Sequence, residues 1–174
     1  MLEEENEDVF ESFVHHLYHS GAELDVDYDN EDTESFLIEA HIFGDRRGCN
    51  SFRNAAVNAL AMLLRSERKT LPSMSTCDLI FTQTTEHAGL RYLVADKWCW
   101  EGNEDFTRKV NTNEAVNADF AIAVFRAMTR CNKSRLQPEN SLQTAFMKSA
   151  APFKPIWLCE LYHNHNEDDD DDCC

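Results

Sequence analysis

The sequence predicts a mainly α protein, an antiparallel array or bundle of about six or seven helices. Apolar residues recur at helical spacing in one stretch after another, and capping residues, Gly or Pro bound those stretches. Gly 5 and Pro 4 in 174 residues are too few for the many tight turns of an all-β fold. A hydrophobic share of 43%, with 11 Phe, is ample for one core.

The first element is VFESFVHHLYHSG. Val9, Phe10, Phe13, Val14, Leu17 and Tyr18 form a wide apolar stripe on a short helix, closed by Ser20-Gly21 as a left-handed stop. The next stretch, AELDVDYDNED, is too charged to pack on both faces. It reads as a short extended piece, with a minor strand near Leu24–Tyr28, and then an acidic loop. Asp32 or Thr33 caps the second helix, TESFLIEAHIFGDRR, with acids toward its start and Arg46 and Arg47 at its end, as the helix dipole favours.

Gly48 breaks the chain, and Asn50 or Ser51 caps the third helix, SFRNAAVNALAMLLR. Its apolar face is Phe52, Ala56, Ala59, Leu60, Leu63 and Leu64. After Leu71-Pro72-Ser73 come a capped segment, STCDLIFTQTT, and, past Gly89, the helix LRYLVADKWCW. A polar loop around EGNED precedes NEAVNADFAIAVFRAMTR, which Asn113 caps and which carries Phe120, Val124, Ala127 and Met128 on one face. Pro138, Pro152 and Pro155 loosen residues 132–155, and a short apolar piece then leads into five consecutive Asp.

The net charge of −16 is unevenly laid out. Residues 1–45 hold 15 acids and no Lys or Arg, and residues 155–174 hold 7 acids and again no base. All 16 basic residues fall in 46–154 against 10 acids, so the middle is net +6 between two acidic ends. This balance offers nucleic acid little. Arg126, Arg130, Lys133 and Arg135 form a basic cluster, read as a solvated helix end that complements the dipole. No apolar run approaches the roughly 20 residues that span a bilayer, so no membrane association is expected. The acidic start lacks the regions of a secretory signal, and the seven Cys show no disulfide framework. An intracellular protein, in cytoplasm or nucleus, is expected.

Catalytic motifs are missing from the sequence: it has no Gly-x-Ser-x-Gly elbow, no P-loop and no dinucleotide fingerprint. An enzyme is not expected, nor is a cofactor. Two sets of side chains could instead hold a metal. His15 and His19 stand four apart on one helical face, with Glu11 or Glu23 to complete a shell. Cys159, His163, His165 and Cys173 or Cys174 have ligand types that suit zinc, at a spacing that fits no standard finger. The bland readings are a packing helix flanked by histidines and a solvated acidic tail.

The order of motifs adds a further expectation. Phe10-Glu11, Leu17-Tyr18 and Gly21, then Phe43, Asp45 and Phe52-Arg53-Asn54-Ala55, then Phe81, Thr84 and Leu90-Arg91-Tyr92-Leu93-Val94-Ala95-Asp96 follow one another. This series resembles a run in fungal BTB/POZ-domain proteins over residues 8–100, and more loosely over 113–165. The resemblance implies a BTB C-terminal helical hairpin followed by a helical extension. On that reading residues 1–8 are an acidic tail, 9–65 are partial BTB/POZ-like helices, 66–165 are the extension, and 166–174 are an acidic disordered tail.

The first half of a BTB domain, with its core sheet, has no counterpart, so the chain reads as truncated or as a remnant. The resemblance implies a non-catalytic interaction module, with homodimerisation and a cullin-type scaffold as partners. The missing half carries much of both surfaces. Phe10, Phe13, Val14, Leu17 and Tyr18 then become contact candidates, and a protein partner or self-association is expected. The alternative function is a small zinc-binding regulator that uses the C-terminal Cys/His set.

Overall fold

The computed structural model describes residues 6–19, 23–65, 71–101, 106, 108, 116–136 and 162–163. Six helices run through them, α1 (Glu7–Tyr18), α2 (Thr33–Arg47), α3 (Asn50–Arg65), α4 (Met74–Gln83), α5 (Gly89–Glu101) and α6 (Ala118–Leu136), and Phe106, Arg108 and Tyr162 are helical as well. The mainly α expectation holds. The minor strand near Leu24–Tyr28 does not form: that piece runs without strand pairing, burying Leu24 and half-burying Val26. Among the described residues no other segment is extended into a strand beside it, so it has no ladder to join.

Local chemistry sets the helix ends. Asn6 caps α1, its side chain accepting from the Asp8 N–H at 3.1 Å, so Glu7 and Asp8 belong to the first helical turn rather than to an acidic tail. The Asn6 amide also donates to Glu39 Oε2 at 2.7 Å, which ties the start of α1 to α2. Gly48 ends α2 with φ 67°, the left-handed conformation that favours Gly. Ser73 caps α4 by accepting from the Thr76 N–H at 3.0 Å. The cap of α6 is Asn117, not Asn113, which lies outside the described residues. Asn117 Oδ1 accepts from the N–H groups of Asp119 and Phe120, and its amide donates to Asp78 of α4 at 2.9 Å.

Two close helix pairs organise the core, α2 along α3 and α5 along α6, and α3 against α5 joins them. Between α2 and α3 the backbones approach closely at Gly44, where a Cβ would meet Arg53 N at 3.1 Å and Phe52 Cδ1 at 3.2 Å. Leu37, Ala40, Phe52, Ala56, Leu60 and Ala61 fill the seam and are almost wholly buried. At full burial each large side chain contributes about 2–3 kcal/mol.

The second pair shares an aromatic cluster. The Phe120 ring sits 5.3 Å from Phe81, 5.8 Å from Phe106 and 6.0 Å from Trp98, all edge-on. Polar ties cross the same region. Buried Lys97 donates to the Leu64 carbonyl at the end of α3. Tyr162 lies buried beside α5, so close to its start that a Cβ on Gly89 would stand 1.6 Å from the Tyr162 carbonyl oxygen.

Candidate interaction surface

Helix α1 carries two apolar stripes side by side. Positions 9, 13 and 16 recur at four and three residues, and so do positions 10, 14 and 17. At 100° per residue the two stripes adjoin, giving an apolar arc wider than one neighbouring helix can cover. The principal partner of α1 is α2, and the 9–13–16 stripe is the one turned to the core. Val9 is buried, Phe13 is half-buried, and His16 is only 2% exposed.

Aromatic edges hold this inner stripe. The Phe13 ring lies 5.1 Å from Phe43 and 5.2 Å from Phe52, and the His16 ring lies 5.3 Å from Phe52. His16 Nε2 is 3.2 Å from Ser51 Oγ, which gives the buried imidazole a polar partner at the start of α3. The wide stripe with flanking histidines is thus corrected in one respect: one histidine points inward, and three of the apolar residues point outward. The 9–13–16 spacing held that signal, hidden because His is not scored as apolar.

The outer stripe faces solvent. Phe10 is 50% exposed, Leu17 55% and Tyr18 83%, with Val14 half-buried between them. Phe10 meets Phe43 in an edge-to-face arrangement at 6.4 Å. Glu7, Glu11 and His15 stand exposed along the same helix, so the patch has an acidic end and a histidine end.

The metal candidates fare differently. The His15 and His19 rings stack at 3.9 Å with 18° between planes, and His19 Nδ1 lies 2.8 Å from the His15 carbonyl oxygen, to which it donates. Rings stacked face to face do not converge their nitrogens on one ion. Among the described residues no group of three His, Cys, Asp or Glu could hold a metal. His163 Nε2 meets Asn58 Oδ1 of α3 at 2.7 Å, while Cys159, His165, Cys173 and Cys174 lie outside the described residues. No described helix is long and apolar enough to cross a membrane.

Two buried groups have shifted protonation. His41 is held neutral, lowered from 6.5 to about 4, mainly because burial opposes its charge, and its Nδ1 donates to the Arg53 carbonyl at 3.3 Å. Burial pushes the Cys77 thiol up to about 12. A thiol that stays protonated near neutral pH is a core group rather than a nucleophile. The Asp45–Arg53 ion pair and the Arg53–Asn50 hydrogen bond (2.7 Å) lock the α2–α3 turn.

Neither known protein families, nor curated proteins, nor solved structures provide a match to this chain.

Proposed function

We propose that the chain is a non-catalytic protein–protein interaction module, the helical part of a BTB/POZ-type protein, whose contact face is the outer stripe of α1. The observation that carries the reading is the exposure of Phe10, Leu17 and Tyr18 on one flank of a helix whose other flank is packed. The family assignment is supported by the ordered motifs around Leu17-Tyr18, Asp45, Phe52-Arg53-Asn54-Ala55 and Leu90–Asp96.

The stripe meets the same stripe of a second copy. Antiparallel pairing of two α1 helices places Phe10 against Leu17 of the other copy. It also sets the acidic first turn, Glu7 and Asp8, opposite the histidine-bearing last turn. Four side chains make a patch well below the roughly 800 Å² per partner of a standard interface, so the dimer is weak. Sedimentation velocity across a wide concentration range tests this. Expected is a dimer fraction that grows with concentration and disappears in Leu17→Asp, a position exposed enough to leave the fold intact. A clean monomer at every concentration overturns the proposal.

A further inference from the structure

A cleft of about 310 Å³ lies where α4, α5 and α6 meet, away from α1. Three guanidiniums line it: Arg91 from α5, and Arg126 and Arg130 from α6. Arg91 is buried and spends Nε and Nη2 on neutral oxygens, those of the Thr84 hydroxyl, the Phe81 carbonyl and the Thr84 carbonyl. It has no carboxylate partner among the described residues, so a buried positive charge borders the cleft without a counter-ion.

Arg126 is 67% exposed, and among the described residues its ionic contact is a loose 3.9 Å approach to the similarly exposed Glu86. Arg130 gives Nη2 to Asp96 Oδ1 at 2.9 Å and remains 42% exposed. The remaining acid of the lining, Asp119, stands seven residues before Arg126, roughly 10 Å back along α6. Asp96 neutralises Arg130 and Glu86 only loosely meets Arg126, which leaves Arg91 and the exposed Arg126 to take a carboxylate-rich ligand, because guanidinium groups bind carboxylates in a bidentate fork.

We propose that this cleft is the docking site of the chain's own acidic run, Glu167 and Asp168–Asp172. Two features select this occupant over another acidic peptide. The first is position: Tyr162 is anchored by its hydroxyl to Asp96, the residue that also holds Arg130, and its carbonyl crosses the start of α5 two residues before Arg91. Glu167 follows His163 by four residues and Asp172 by nine, a reach of roughly 13–30 Å, enough to pass around the end of a helix about 10 Å wide. The second is charge: Glu167–Asp172 is six consecutive acids. Tethering raises their concentration at the cleft to the millimolar range, so a weak contact suffices to fill it.

The test uses a fluorescein-labelled peptide of residues 164–172 as probe, read by anisotropy at roughly 50 mM salt, where screening is weak. It is titrated into the full chain, and into a neutralised chain carrying Glu167→Gln with Asp168→Asn, Asp169→Asn, Asp170→Asn, Asp171→Asn and Asp172→Asn. The neutralised chain should bind the probe at least tenfold more tightly than the full chain, whose cleft is already filled. Adding Arg126→Glu to the neutralised chain, at an exposed position, should weaken binding at least tenfold. No binding by the neutralised chain overturns the proposal, as does insensitivity to Arg126→Glu. Equal binding by both chains also overturns it, because the cleft would then be open to acidic peptides from elsewhere.

Discussion

The hydroxyl of Tyr162 donates to Asp96 Oδ2 at 3.0 Å, joining residues 66 apart in sequence. Arg130 holds the other oxygen of the same carboxylate, so α5, α6 and Tyr162 meet on one nearly buried acid. The Tyr162→Phe substitution removes a charge-assisted donor without changing the ring. It should lower stability by roughly 1.5–3 kcal/mol, read from the urea midpoint. An unchanged midpoint would show that the contact contributes nothing.

Gly89→Ala ordinarily favours a helix by up to about 1 kcal/mol. Here the added Cβ would fall 1.6 Å from the Tyr162 carbonyl oxygen, a backbone atom that a rotamer change cannot move. The substitution should destabilise by roughly 1–3 kcal/mol. Combined with Tyr162→Phe it should cost less than the sum, since both loosen the same attachment. Full additivity in the double-mutant cycle would refute the shared mechanism.

His41 predicts a pH dependence with a definite sign. Its folded pKa, about 4, lies below the ordinary 6.5, so between these values the unfolded chain binds a proton that the folded chain refuses. The stabilising contribution is complete above about pH 6.5 and is lost as pH falls toward 4, by roughly 3 kcal/mol at most. Glu34 acts in the opposite direction, because burial pushes its carboxyl up and acid then favours the folded form. Comparing the chain with His41→Leu at pH 7 and pH 4.5 isolates the imidazole. Parallel pH profiles would discount it.

Phe52 and Phe10 should respond oppositely to truncation. Phe52→Ala empties a site with 0% exposure that contacts Phe13, Phe43 and His16, and should cost about 3–5 kcal/mol. Phe10→Ala removes a half-exposed ring with one edge contact and should cost under about 1 kcal/mol. Denaturant unfolding of the two variants checks the contrast, and comparable losses would mean that α1 packs more deeply than its exposure indicates.

Periodicity and punctuation made most of the fold legible. The helices at Thr33–Arg47, Asn50–Arg65 and Met74–Gln83 fall where apolar spacing, Gly48 and Pro72-Ser73 put them, because these are local preferences of a few residues. Sequence spacing predicts Asn113 as the cap of α6 where the structure uses Asn117: Asn is a competent cap at either position, and Asn117 also reaches Asp78, across the chain on α4. The expected strand at Leu24–Tyr28 failed for a similar reason: a strand needs a partner from elsewhere in the chain, and the described residues supply none.

The candidate surface was legible as a set of residues but not as a direction. Sequence spacing named Phe10, Phe13, Val14, Leu17 and Tyr18 together, although Phe13 shares the inner flank with Val9 and His16 and the others lie on the outer one. Ser51, Phe43 and Phe52 on α2 and α3 decided the matter by giving His16 a hydrogen-bond partner and Phe13 two ring edges.

By itself the sequence determined the mainly α class, the order of the described helices and the separation of a basic middle from two acidic ends. Those properties follow from local conformational preference and from composition. Only the tertiary structure decided which flank of α1 is exposed, that Tyr162 rests on α5 against Gly89, and that Arg91, Arg126 and Arg130 border one cleft. Each of these joins residues tens of positions apart, and such meetings are set by how the helices pack.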